Sequence, residues 1–211
     1  MAKGYWIIQA DVTDPDRYQN YAREDMPAIG AFGGRFLVRG AAAEMPEGAV
    51  RSRLVVLEFA DPDAAAACYD SAAYRKAAEH RHGAADFDLT LIAGYDGAQP
   101  APVGTPPAAA ALPGYWIGFV DVRDMEGYKA YVAATPEVFG AHGAEFLVRG
   151  AAPDQREGKG TSRNVVIRFP SLAAAKACYH DPRYQAARAL RLPHATGSIV
   201  IVEGYAGPQP E

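Results

Sequence analysis

The chain repeats itself. Gly4-Tyr5-Trp6-Ile7 returns as Gly114-Tyr115-Trp116-Ile117, and Phe36-Leu37-Val38-Arg39-Gly40 returns as Phe146-Leu147-Val148-Arg149-Gly150. Ala67-Cys68-Tyr69 returns as Ala177-Cys178-Tyr179. Every pair has the same offset, so the copies align without a gap, at an identity of roughly 40%. A solenoid needs at least three repeats, so two copies of this size describe a duplicated domain. The expected boundaries are residues 1–97 and 114–211, with a Pro- and Ala-rich linker over 98–113. The tail Gly207-Pro208-Gln209-Pro210 echoes Gly97-Ala98-Gln99-Pro100, which marks where one copy ends.

Within one copy the pattern alternates between strand and helix. Tyr5 to Val12, Phe36 to Ala42, Arg53 to Phe59 and Phe87 to Tyr95 are rich in β-branched and aromatic residues and predict strands. Asp14-Pro15 and Asp61-Pro62 place an N-cap before a first-turn proline, so each opens a helix. Gly33-Gly34 ends the first helix, and the second is Ala-rich and runs to about His80. The stretch around Pro46, Glu47 and Gly48 reads as a loop. The order β-α-β-β-α-β is the split βαβ pattern of ferredoxin-like α+β folds.

A four-stranded sheet with both helices on one side leaves its other face bare. The second copy can cover it, giving two sheets packed face to face as a pseudo-dimeric α/β barrel. On the first strand Trp6, Ile8, Ala10 and Val12 form an apolar face suited to the helices. Tyr5, Ile7, Gln9 and Asp11 form a mixed face. Simple alternation puts Arg39 and Arg149 on the side of Leu37 and Leu147. These mixed faces predict a shared, partly polar cavity between the sheets.

Composition narrows the function classes. The 211 residues are 49% hydrophobic and 22% charged, a globular balance. The net charge of −4 offers no basic excess for a nucleic-acid partner. No run approaches the roughly 20 apolar residues of a membrane-spanning helix. Met1-Ala2-Lys3-Gly4 leads straight into a strand pattern without signal-peptide anatomy. Two cysteines make no disulfide framework, so a reducing, cytoplasmic setting is expected. There is no G-x-G-x-x-G after a strand, no Walker loop, no G-x-S-x-G and no C-x-x-C. The expected partner is therefore a small molecule, with neither an organic cofactor nor a metal.

The residues Gly4-Tyr5-Trp6-Ile7, Asp11-Val12, Asp14, Tyr18, Tyr21, Arg39-Gly40, Arg53, Tyr69, Tyr74 and Arg81, with their second-copy counterparts, resemble the domain of unknown function 1330 family. The resemblance runs once per copy over nearly the whole chain. It implies the dimeric α/β-barrel superfamily, whose members are usually single domains that dimerise. Related barrels include cofactor-independent monooxygenases, cyclases, haem-dependent enzymes, lyases and isomerases, so the resemblance implies a fold and no single reaction. The acidic position the family carries in the third strand is Glu58 in the first copy and Arg168 in the second. We expect these two to face the barrel and pair across the pseudo-two-fold axis.

The candidate chemistry follows from side-chain type. Arg39, Arg149, Arg53 and Arg163 recur in both copies, and a guanidinium fork binds carboxylate, enolate or phosphate in bidentate fashion. Arg168, Asp11 and Asp121 join them as substrate-binding candidates; internal ion pairs with Asp11, Asp121 or Glu58 are the alternative. His80 and His82 titrate near neutrality and, with Glu58, are the candidate acid–base groups. Cys68 and Cys178 read as small core residues. The function expected is acid–base chemistry in the barrel cavity, of isomerase, lyase, cyclase or monooxygenase type. The alternative is a non-catalytic binding or stress-related protein.

Overall fold

A computed structural model describes residues 2–211. The first repeat contributes β1 (Gly4–Val12), α1 (Pro15–Gly30), β2 (Arg35–Gly40), β3 (Glu44–Glu47), β4 (Arg53–Phe59), α2 (Pro62–Asp70), α3 (Ala72–Glu79) and β5 (Ala85–Ala93). The second contributes β6 (Gly114–Val122), α4 (Met125–Ala134), α5 (Pro136–Ala141), β7 (Glu145–Arg149), β8 (Asp154–Glu157), β9 (Arg163–Phe169), α6 (Leu172–His180), α7 (Pro182–Arg191) and β10 (Ala195–Glu203). Asp14 and Asp61 cap their helices as expected, accepting from the Arg17 and Ala64 amides at 3.1 and 2.7 Å.

Two antiparallel five-stranded sheets result, in the orders β2-β4-β1-β5-β8 and β3-β10-β6-β9-β7. The fifth strand of each sheet belongs to the other repeat. The stretch read as a loop around Glu47 is β3, which pairs with β10; β8 pairs with β5. Each repeat thus sends one arm across to complete its partner's sheet.

The sheets bury an apolar layer between them, built from Tyr5, Ile7, Leu54 and Val56 against Tyr115, Ile117, Val166 and Val200. The opposite sheet faces carry the helices. There Trp6 and Trp116 sit buried, their indole N–H groups donating to the Ala65 and Ala175 carbonyls at 3.0 and 2.9 Å.

Two helix expectations are corrected. The Ala-rich second helix is broken at Ser71, whose extended backbone ends α2 and whose hydroxyl caps α3 by accepting from the Tyr74 amide at 3.1 Å. The first helix is continuous in repeat one but breaks in repeat two at Thr135-Pro136, between α4 and α5. A proline inside a helix removes an N–H and crowds the carbonyl four residues back. The Thr135 hydroxyl donates to that carbonyl, Val132 O, at 3.2 Å.

The proline-rich connection is docked at its start. The Gln99 side chain donates to and accepts from the Phe146 backbone at 3.0 and 2.7 Å, as a neighbouring strand would. Gln209 does the same to Phe36 at 3.1 and 2.7 Å. Both occupy the free edges of β7 and β2, which otherwise present unpaired backbone groups.

Candidate functional site

The arginines expected in the barrel lie on the other side of the sheet. A bulge between Phe36 and Val38 shifts the register on β4, so that Leu37 and Val38 both enter the inter-sheet layer. One extra residue reverses every side chain beyond it, so Arg39 turns toward α1. The same bulge between Phe146 and Val148 turns Arg149 toward α4. Arg53 and Arg163 pair with Ala10 and Val120 and share their helix-facing side. Each repeat therefore holds a cleft between its sheet and its first helix. One is lined by Tyr18, Tyr21, Asp25, Arg39 and Arg53, the other by Tyr128, Tyr131, Thr135, Arg149 and Arg163.

In repeat one the Arg39 guanidinium stacks on Phe36 at 4.4 Å and donates to the Ala22 carbonyl at 3.2 Å and the Met26 sulfur at 3.4 Å. Tyr205, from the other repeat, stands 5.9 Å from Arg39. Arg53 stands over Tyr18 at 5.5 Å. Asp25 on α1 is the carboxylate of this cleft. It is only 5% exposed, and its Oδ1 has no hydrogen-bond partner. Burial pushes its carboxyl up to about 6, against the opposing pull of Arg39, the Tyr21 hydroxyl, Arg53 and Arg81. Burial also raises the Tyr18 and Tyr21 phenols, so both stay protonated and act as donors near neutrality. Asp25 lies on no motif and was missed in the sequence. Its signal was one acidic residue four positions beyond Tyr21, on the side of the helix that packs against the sheet.

Next to a lining tyrosine of each cleft lies an arginine held by the opposite repeat: Arg81 is 5.3 Å from Tyr21, and Arg191 is 5.5 Å from Tyr131. Arg81, 2% exposed, donates to Glu157 of β8 at 2.7 and 2.5 Å and stacks on Phe87 at 3.9 Å. Arg191 donates to Glu47 of β3 at 2.6 Å to both oxygens. Tyr69 and Tyr179 each donate to the same glutamates at 3.0 Å.

The other expected site residues fall elsewhere. Glu58 and Arg168 do not pair with each other. Glu58 accepts from the Tyr5 hydroxyl at 2.9 Å and faces Arg35 at 3.7 Å, whereas Arg168 pairs with Glu145. The two pairs are equivalent and charge-reversed, because Arg35 lies opposite Glu58 in one sheet and Glu145 opposite Arg168 in the other. His80 sits at the end of α3, half-exposed and 3.2 Å from Glu24. His82 is exposed, and its carbonyl accepts from Arg17 at 2.8 Å. Both histidines flank the inward Arg81 and lie outside the cleft lining.

Asp11 lies at one mouth of the inter-sheet space, beside a cavity of about 360 Å³. Arg51 donates to Asp11 at 3.2 Å and to Asp88 at 2.6 Å. Asp121 accepts from the Ser162 amide at 2.7 Å and is exposed. Part of the polar cavity expected between the sheets lies at this mouth, where Gln9, Thr90, Lys159 and the buried Asn164 also line it. Cys68 and Cys178 are buried free thiols, both raised by burial. Among the described residues no group of three His, Cys, Asp or Glu could hold a metal ion, and no helix is long and apolar enough to cross a membrane.

The model of the domain of unknown function DUF1330 matches residues 3–95 and again 113–205. The chain belongs to the DUF1330 family. Its two copies fill one chain, and no curated protein matches it in sequence. Among solved structures, a "putative monooxygenase" from Lactobacillus acidophilus is 13% identical, with 97% of this chain and 94% of that one covered at a TM-score of 0.50. An anthrone oxidase-like protein is 11% identical over 95% and 91%, at 0.53. A chlorite dismutase variant from Candidatus Nitrospira defluvii is 6% identical over 96% and 91%, at 0.53. At such identities the likeness shows a shared dimeric α/β-barrel fold.

Proposed function

We propose that this DUF1330 protein is a small-molecule enzyme that moves a proton on a carbonyl-bearing, anionic compound, using Asp25 in the cleft of the first repeat. One observation carries the reading: a buried carboxyl with a free oxygen, brought to about 6, faces two guanidiniums in an aromatic-walled cleft. A proton carrier works best when its pKa lies near the working pH. Asp25 takes the proton from the carbon beside the carbonyl; the C–H electron pair becomes the C=C bond while the C=O π pair moves onto the oxygen. Arg39 and Arg53 hold the resulting enolate charge, and a protonated tyrosine donates to it. Return of the proton from Asp25 to a different atom completes an isomerisation. The free volume of about 10 Å³ is what one water needs, so a substrate enters only as the cleft widens. The enzymes named among the structural neighbours are consistent with a fold that acts on small molecules.

The test is hydrogen exchange. Short 2-oxo and 3-oxo acids are incubated with the protein in D2O and followed by proton NMR. Loss of the α-proton signal that Asp25→Asn reduces at least a hundredfold supports the proposal. Exchange equal in Asp25→Asn contradicts it. A second reading, non-catalytic binding, rests on the 360 Å³ mouth, where the buried Asn164 amide nitrogen lacks a partner. Ligand binding lost in Asn164→Leu but kept in Asp25→Asn, without exchange of any acid, favours that reading.

A further inference from the structure

The two clefts have diverged at one linked set of positions. In repeat one the Arg39 guanidinium has three neighbours on α1: the Ala22 carbonyl, the Met26 sulfur and the Asp25 carboxyl. In repeat two all three are gone. Met26 is replaced by Pro136 and Asp25 by Thr135. The carbonyl equivalent to Ala22 belongs to Val132, and the Thr135 hydroxyl occupies it. Among the described residues, the Arg149 and Arg163 side chains make no hydrogen bond or ion pair with any protein group. They are held by aromatic stacking alone: Arg149 on Phe146 at 4.3 Å and near Tyr95 at 5.7 Å, Arg163 over Tyr128 at 5.6 Å.

We propose that the repeat-two cleft is a binding site for a short-chain carboxylate, which takes the place that Asp25 holds in repeat one. Two half-buried guanidiniums without a protein counter-ion keep their donors free for an anion. A planar fork matches a carboxylate in bidentate fashion. The size agrees: the cleft holds about 40 Å³, several times what one water needs, and opens to solvent. That volume suits a ligand of a few heavy atoms. The aromatic and aliphatic walls from Phe139, Phe146 and Val132 favour an alkyl end over a fully solvated inorganic anion. The site is independent of the proton chemistry assigned to Asp25, since it lies in the other repeat.

Acetate is the probe, titrated against the full chain and followed by amide NMR shifts, with acetamide as the neutral isostere. The expected result is a saturable site at millimolar acetate whose shifts map to α4, β7 and β9. Acetamide leaves those signals unmoved. Arg149→Met weakens acetate at least tenfold, Arg149→Lys weakens it less, and Thr135→Asp, which supplies an internal carboxylate, abolishes it. Asp25→Asn leaves it unchanged. Non-saturating shifts spread over the surface overturn the proposal, as does equal affinity in a folded Thr135→Asp variant. Equal response to acetate and acetamide overturns it too.

Discussion

A carboxylate among three arginines is ordinarily a permanent anion. Asp25 is an exception because it is buried and none of those arginines forms an ion pair with it, so desolvation outweighs their pull. This has a consequence for stability. The folded value of about 6 stands above the value near 4 of an unfolded aspartate. The folded state therefore holds the proton more tightly. The stability this contributes is present in full below about pH 4 and is lost as the pH rises through 6. Asp25→Asn removes the penalty of a buried charge. It should be more stable than the natural protein at pH 8, by on the order of 2 kcal/mol, and nearly equal to it at pH 4. Urea denaturation at the two pH values reads this directly. Glu47 illustrates the opposite case, a buried charge that is fully paired. Glu47→Ala strands Arg191 without a partner and should cost about 3 kcal/mol or more, measured in the same way.

At the scale of elements, the bulges in β2 and β7 decide where the arginines go. Strand alternation was legible, and it placed Trp6, Ile8 and Ala10 correctly against the helices. A bulge leaves no compositional mark in Phe36-Leu37-Val38-Arg39, so Arg39 was assigned to the wrong face. The second helix was expected to run unbroken to about His80, although repeat two carries a break signal. There Asp181-Pro182 is an N-cap and first-turn proline, and Ser71 occupies the equivalent position in repeat one. The arms were hidden because Glu44–Glu47 has the composition of a turn and pairs only with a strand of the other repeat. The charge-reversed pairs, Arg35 with Glu58 and Glu145 with Arg168, supply an element-scale prediction. Arg35→Glu alone opposes like charges across β2 and β4 and should destabilise modestly, by about 0.5 kcal/mol given the exposure of Arg35. Adding Glu58→Arg reproduces the repeat-two arrangement and should restore stability, as a double-mutant cycle would show.

For the molecule as a whole, duplication gave the chain its own partner. Glu47 and Glu157 cross to Arg191 and Arg81, Tyr95 and Tyr205 cross to Arg149 and Arg39, and each sheet takes a strand from the other repeat. A protease site placed at the exposed Thr105 should therefore nick the chain without separating its halves, which should co-elute in size-exclusion chromatography until denaturant is added. The repeat in the sequence foretold this pairing; it did not foretell that the two clefts would carry different chemistry. Among the described residues only repeat one keeps a carboxyl beside its cleft arginines, so the proton-carrying role proposed for Asp25 belongs to one half of a nearly symmetric molecule. Carbon-13 NMR titration of the aspartate carboxyls in the intact chain tests this most directly. The Asp25 resonance should titrate near pH 6 and be absent from the spectrum of Asp25→Asn; an Asp25 carboxyl that titrates near pH 4, as a solvated aspartate does, would rule out the proton carrier.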